Sequence, residues 1–391
     1  MGDNRFPNSF SRLLNSRAAS IFRRPVYIFW LSLLAITFFA LTFGLNRLYA
    51  QKQQQLSRYW YGRAQAALES HQADEAISDL RTALVYSHDR PQYLFSLAQA
   101  LEAAGRITEA RSYLLSLLED EPGNGPYNLQ LARLAAKEND VSHAMRYFNG
   151  AIYGAWESDP ISKRQQARQE LVSYLLEKGM NTQARGELLT FTTDMPKTAQ
   201  SEFWVANAFS RLGDDSSALQ FYKAGLRLDR RNAGAMLGAG ESSFRLLRYH
   251  EALNYFKAAL ALRPDATTSG WLQLTSMTMD LNPFQSQMSA VERRHRLILA
   301  MDIADQRLRA CTQLQNGSSA NSPSTSQSLR AQWIQLDDQL QNARSDSDVV
   351  QLLAPAANLI VNIEKQNRCS APAVGDQALL QIYANAEELQ P

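Results

Sequence analysis

The residues of this chain with the widest chemical reach are five histidines and two cysteines. Their spacing offers little chemistry. His71, His88, His143, His250 and His295 form no HxxxH or HExxH pair; metal ligands must converge on one point, and these are strung along the chain. All but His295 fall at expected turns or helix ends, where the plain reading is a solvent-facing imidazole. Cys311 and Cys369 are too distant for a CxxC redox or zinc motif, and no histidine stands beside either at ligand spacing. The sequence has no G-x-x-x-x-G-K-S/T phosphate loop and no G-x-S-x-G elbow. "ERRHR" at 292–296 has the charge to meet acidic headgroups or a partner, although such runs are more often a solvated helix face. With no converging nucleophile, base or metal set, the expectation is a chain that is not an enzyme and holds no cofactor and no metal.

Hydrophobic residues make up 45% of the 391 residues and charged residues 20%, a composition able to build a core. The formal net charge of +2 argues against a dedicated nucleic-acid binder, which needs a basic face to displace counterions from phosphates. No small-molecule substrate is evident. The clearest departure from a soluble composition is "PVYIFWLSLLAITFFALTFGL" at 25–45, 21 residues without a charge. As a helix it spans about 31 Å, close to the hydrocarbon thickness of a bilayer. Arg5, Arg12, Arg17, Arg23 and Arg24 precede it against a single acidic residue, Asp3, which favours a cytoplasmic N-terminus; Arg47, Lys52 and Arg58 behind it weaken that bias. A cleaved signal peptide is the rival, but its apolar region runs to only roughly 7 to 15 residues. The expectation is therefore a cytoplasmic basic arm over 1–24 and an uncleaved transmembrane helix over 25–46. The protein would be single-pass in the inner (cytoplasmic) membrane, with a periplasmic or otherwise extracytoplasmic remainder.

Any binding surface must be positioned by the residues beyond the apolar stretch. A small residue recurs ahead of an aliphatic at Ala76, Ala110, Ala144, Ala184, Ala218 and Ala252, at steps of 34, 34, 40, 34 and 34. One insertion of six residues reconciles all five steps. Five positions ahead of the alanine stand Gly105, Gly179 and Gly213, and twelve behind it stand Pro122, Pro196 and Pro264. Each unit reads as two antiparallel helices: the glycine can take the left-handed conformation at the end of the first, and the proline cannot continue the second. Small residues at the crossing let two backbones approach, and an aromatic or leucine fills the space beside them. One such hairpin cannot bury its apolar face alone, whereas stacked hairpins can. The expected fold class is all-α, a solenoid of six helical hairpins.

With this period and the order W-x2-L-G-x2-Y, then G, A, F or Y, A and P, the units resemble the tetratricopeptide repeat (TPR) family. The match is best over 199–232 and 233–264, good over 91–122, and looser over 57–88, where Trp60 fills the tryptophan place. The copies at 125–156 and 165–196 keep the alanine but lose other marks. The resemblance covers 57–264, a little over half the chain. It implies a concave wall made by the first helix of each unit, where related proteins hold partner segments. The inward positions carried over are Arg58, Tyr61 and Gln65, then Phe95 and Gln99, Leu129 and Arg133, then Phe203, Asn207 and Arg211, and last Glu241 and Arg245. Aromatic rings, amides and arginines suit peptide recognition. The lysine and asparagine pattern by which some members clamp a C-terminal carboxylate is missing, so the implied groove is generic.

Beyond the repeats, capping helices are expected over 265–314, starting with an amphipathic one that carries Trp271, Leu274 and Met277. A flexible polar loop is expected over 315–328, and a helical region over 329–391. The function expected is that of a membrane-anchored, non-catalytic scaffold or assembly factor with protein partners in a membrane or envelope complex. Two alternatives stay open: the recruiting arm of an envelope-processing enzyme with its activity in 265–391, and a cytoplasmic-facing membrane adaptor. In an oxidising compartment Cys311 and Cys369 are expected to pair, closing a long loop and stabilising the fold by about 4 kcal/mol. Thiol labelling of denatured, unreduced protein taken from membranes should then find neither cysteine free. Two free thiols would remove both the bridge and an argument for export.

Overall fold

The computed structural model describes residues 25–87, 90–285, 288–315, 323–343, 345–366 and 371–386. The arm over 1–24, His88 and Cys369 lie outside them. Among the described residues the secondary structure is helical, apart from one parallel bridge between Asn124 and Ala155. The chain divides into two compact units, Met1–Ala167 and Arg168–Pro391. In the first, α1 (Pro25–Glu69) pairs with α2 (Ala73–Tyr86), α3 (Pro91–Ala103) with α4 (Ile107–Asp120), and α5 (Gly125–Lys137) with α6 (Val141–Tyr153). Helix α7 (Pro160–Glu177) carries the boundary between the units. In the second unit Arg168 of α7 meets Glu187 of α8 (Asn181–Asp194) at 3.2 Å, and α9 (Ala199–Arg211) pairs with α10 (Asp215–Leu228), α11 (Ala233–Arg245) with α12 (Tyr249–Leu262).

Each hairpin turns through one left-handed residue, placed five positions ahead of the recurrent alanine. Gly105, Gly179 and Gly213 have φ of 76°, 69° and 73°, where a glycine carries no Cβ penalty. The other three copies put His71, Asn139 and Leu247 there with φ of 58°, 60° and 59°. In all six the next residue's N–H bonds back to the carbonyl five residues earlier, as in Arg106 to Leu101 at 2.8 Å and Arg248 to Ser243 at 2.8 Å. This closure satisfies carbonyls that the helix end would leave orphaned.

The turn delivers the alanine against the first helix. Ala76, Ala110, Ala144, Ala184, Ala218 and Ala252 are all 0% exposed. Small residues recur elsewhere at these crossings. A Cβ on Gly225 would lie 2.3 Å from the Phe203 ring, and one on Gly240 would lie 2.5 Å from that of Phe256. Polar caps fix where helices start: Asp140, Thr198, Asp214 and Asn232 accept from the backbone N–H three residues on.

Helix α1 is continuous over 45 residues. Its apolar stretch is bare, with Leu34 68% and Phe39 72% exposed, while Ser57 and Ala64 of the same helix are 0% exposed inside the first hairpin. At the other end, α13 (Ala266–Leu281) lays Trp271 on Phe256, ring centroids 5.9 Å apart, and edge-on to Phe244 at 5.4 Å. The helix packed along α13 is the last one, α17 (Val374–Tyr383). Between them α14 (Ala290–Gln315), α15 (Pro323–Asn342) and α16 (Asp346–Gln366) bundle around Leu297, Met301, Leu340, Ile360 and Ile363. Helix α15 starts inside the stretch expected to be a polar loop, because Pro323 has its φ preset for the first helical position. Cys311, 0% exposed on α14, is disulfide-bonded.

Two substitutions should move stability in opposite directions. His71 is exposed, so His71→Gly removes about 1 kcal/mol of left-handed strain and loses no packing. Ala218→Leu forces a larger side chain into an enclosed crossing and costs about 1–3 kcal/mol. Calorimetry of the purified chain should show the thermal midpoint rising in the first variant and falling in the second.

Candidate partner-binding surface

The expected groove positions fall into two kinds. In the first unit Tyr61 stacks on Tyr93 with centroids 4.4 Å apart, its hydroxyl 3.3 Å from Ser96 Oγ, and Gln65 Nε2 donates to the same Oγ at 3.1 Å. Leu129 is 6% exposed and sits in the core. Arg133 is half-buried beside Gln130, which itself bonds Glu102 of the preceding hairpin. In the second unit Phe203 covers Gly225, and Asn207 Oδ1 accepts from the Tyr222 hydroxyl at 2.6 Å. Burial pushes that hydroxyl up to about 12, so it stays a donor. Arg245 Nε lies 2.9 Å from both carboxylate oxygens of Asp215, and its Nη2 donates to Ser210 Oγ at 2.9 Å. Glu241 stands 3.7 Å from Arg245; burial raises its pKa while that arginine and a hydrogen bond from Trp271 oppose the shift. Tyr61, Gln65 and Arg245 hold one hairpin to the next, while Phe203 and Asn207 close the two helices of their own hairpin. Arg58 and Arg211 are exposed, and Gln99 is half-buried.

Phe95 belongs to neither kind. Its ring tilts against Tyr127 at 5.2 Å, and both line a cavity of about 520 Å³ within the first unit, with Trp156, Glu121, Glu157 and Lys163 around it. The family pattern does not single out Tyr127 or Trp156. The available signal was the 40-residue step from Ala144 to Ala184.

Titratable groups do converge in the region after residue 264, but as a buried cluster around one arginine. Arg307, Glu364 and Asp376 are 8%, 4% and 6% exposed. Arg307 Nη1 lies 2.7 Å from Asp376 Oδ2 and Nε 3.2 Å from Glu364 Oε2. Asp376 also accepts from the Ala373 N–H at 2.8 Å, which starts α17. One guanidinium thus ties α14, α16 and α17. Among the described residues no group of three or more His, Cys, Asp or Glu side chains is arranged to hold a metal ion.

Successive hairpins, each turned through a left-handed residue and closed on a buried alanine, define a helical-repeat protein. Residues 61–128 match the family model described as tetratricopeptide repeat. A search of the curated proteins finds no match. Among solved structures the chain is similar to the C-terminal part of a TPR repeat-containing protein from Cytophaga hutchinsonii, at 11% identity over 61% of this chain and 92% of that one, with a TM-score of 0.46. It is also similar to PilW, a type IV pilus biogenesis factor, at 17% identity over 56% of this chain and 97% of that one, TM-score 0.42. A third likeness is to YrrB, a TPR protein with an unusual peptide-binding site, at 15% identity over 49% and 95%, TM-score 0.40. Residues 61–128 thus carry tetratricopeptide repeat sequence, and a hairpin turned and closed in the same way recurs to residue 264. That fold points to a role in protein–protein interaction or assembly. By length and composition α1 is able to cross a membrane, a test that a signal sequence near the N-terminus passes as well.

The C-terminal network makes stability depend on pH. Burial first, and Asp376 second, push Glu364 from 4.5 up to about 8, while Arg307 opposes them. The folded state therefore binds this proton more tightly than the unfolded one. Its contribution is full below about pH 4.5 and lost as pH rises towards 8. Glu364→Gln, which mimics the neutral form, should raise the thermal midpoint relative to wild type near about pH 9 and change it little near about pH 4.5. An equal shift at both pH values would contradict the assignment.

Proposed function

We propose that the protein is a membrane-tethered, non-catalytic scaffold or assembly factor that holds partner segments on the first helices of its hairpins. The observation that carries this reading is the continuity of α1. An apolar stretch with no buried residue and mean hydropathy 2.2 runs without a break into the first repeat. A span built this way holds the repeats beside the membrane with no flexible linker, which raises their effective concentration for partners embedded there. The five arginines ahead of the stretch favour a cytoplasmic N-terminus and repeats on the far side, in the periplasm or its equivalent. A disulfide-bonded Cys311 suits such an oxidising compartment. The partners are then proteins of a membrane or envelope complex.

The test is crosslinked co-purification from solubilised membranes, comparing wild type with an Arg58→Ala, Gln99→Ala, Arg211→Ala variant. None of the three is fully buried, so circular dichroism should show the variant folded. The expected result is loss of a specific co-purifying protein from the variant. Identical partners in both samples would take the function away from this surface.

A further inference from the structure

The six extra residues between Ala144 and Ala184 have a structural use. The preceding inter-hairpin connection, between α4 and α5, is residues 121–124, whereas the one between α6 and α7 is residues 154–159, and α7 has 18 residues where α3 and α5 have 13. The longer connection folds back on the shorter one. Gly125 N–H donates to the Ala155 carbonyl at 2.9 Å, and Ala155 N–H donates to the Gly123 carbonyl at 2.7 Å. This clamp presses Trp156 onto the start of α5, so closely that a Cβ on Gly125 would lie 2.4 Å from the indole. Trp156 Nε1 donates to the Ala151 carbonyl at 2.9 Å, and Arg164 Nη2 to that of Gly154 at 2.9 Å. The indole is fixed before any ligand arrives, with its N–H already satisfied and its ring on the cavity.

The cavity therefore has three aromatic walls, Phe95, Tyr127 and Trp156, each from a different element. Its polar lining is unbalanced: two carboxylates, Glu121 and Glu157, against one ammonium, Lys163. Glu121 accepts from Asn124 Nδ2 at 2.8 Å. Both carboxylates bear on one group, since after burial they are what raises the pKa of the Tyr127 hydroxyl. That keeps the phenol neutral beside two negative charges.

We propose that this pocket receives the guanidinium of an arginine side chain of a partner protein. The proposal rests on the reading of the chain as a protein-binding array and adds a pocket in which one expected inward position, Phe95, is joined by Tyr127 and Trp156. Aromatic faces attract a cation, most strongly where water is excluded. A guanidinium is flat enough to lie between rings and brings five N–H donors in a fixed fork, which suits two carboxylates and a phenol oxygen. A quaternary ammonium has the charge but no N–H donor, so it makes none of these hydrogen bonds.

The probe is acetyl-arginine-methylamide, added to the full-length protein in detergent and followed by ligand-observed relaxation NMR, with its citrulline counterpart and choline as comparisons. Wild type should broaden the arginine side-chain signals and leave those of citrulline and choline sharp. Glu157→Gln should weaken binding by about tenfold, and Lys163→Gln should strengthen it, because one removes an attractive charge and the other a repulsive one. Both residues are exposed, so neither substitution endangers the fold. Equal binding of citrulline or choline, or an affinity indifferent to both substitutions, would overturn the proposal. If arginine fails to bind while co-purification still depends on the hairpin surface, only the pocket is refuted. If arginine binds while co-purification is unchanged, the pocket stands and the hairpin surface does not.

Discussion

Two helix backbones can approach closely only where neither carries a bulky side chain, and in this protein that contact is made by one alanine near the start of each second helix. All six of these alanines are completely enclosed. The hairpin turn has to deliver the alanine there, so the turn conformation and the crossing act together. A left-handed residue reverses the chain, a long backbone bond locks the reversal, and the second helix begins three residues before the alanine. Left-handed backbone costs a non-glycine residue about 1–2 kcal/mol. Three of the six copies accept that cost at His71, Asn139 and Leu247, because the enclosed crossing leaves the turn no other geometry.

A closed hairpin still exposes an apolar edge, and neighbours must cover it. Aromatic and polar side chains on the first helices do this within each unit. Tyr61 lies on Tyr93, Gln65 reaches Ser96, and Arg245 grips Asp215. At the end of the array α13 is covered by α17, which arrives after three further helices, and the Arg307 network holds α17 in place. A bonded thiol on α14 reinforces the same region. The cap thereby spares the last repeat an exposed apolar face, as terminal elements of such arrays must.

Function in such a protein rests on which side chains the packing leaves over. Stitching between hairpins consumes much of the surface that the family pattern assigns to recognition. Arginines remain on the outside, and one pocket exists because the regular period is interrupted. An insertion that lengthens a connection and a helix does not disturb the hairpins on either side, since the alanine crossing is rebuilt at Ala184. It does place a tryptophan where a regular repeat has none.

The sequence by itself determined the hairpin, its number of copies, its period and the place of the interruption, together with an apolar stretch long enough to span a bilayer. Each of these is a local pattern repeated at fixed spacing, and local spacing sets helix faces and turns. It also marked three of the left-handed turns, because glycine announces them; histidine, asparagine and leucine at the other three do not. Only the tertiary structure decided that Tyr61, Gln65 and Arg245 serve the joints between hairpins, that Trp156 and Tyr127 share a pocket with Phe95, and that α13 takes its cover from the far end of the chain. Those outcomes depend on pairs of residues from different hairpins, or on helices some hundred residues apart. Their proximity arises from how whole elements pack and leaves no periodic trace in the order of amino acids.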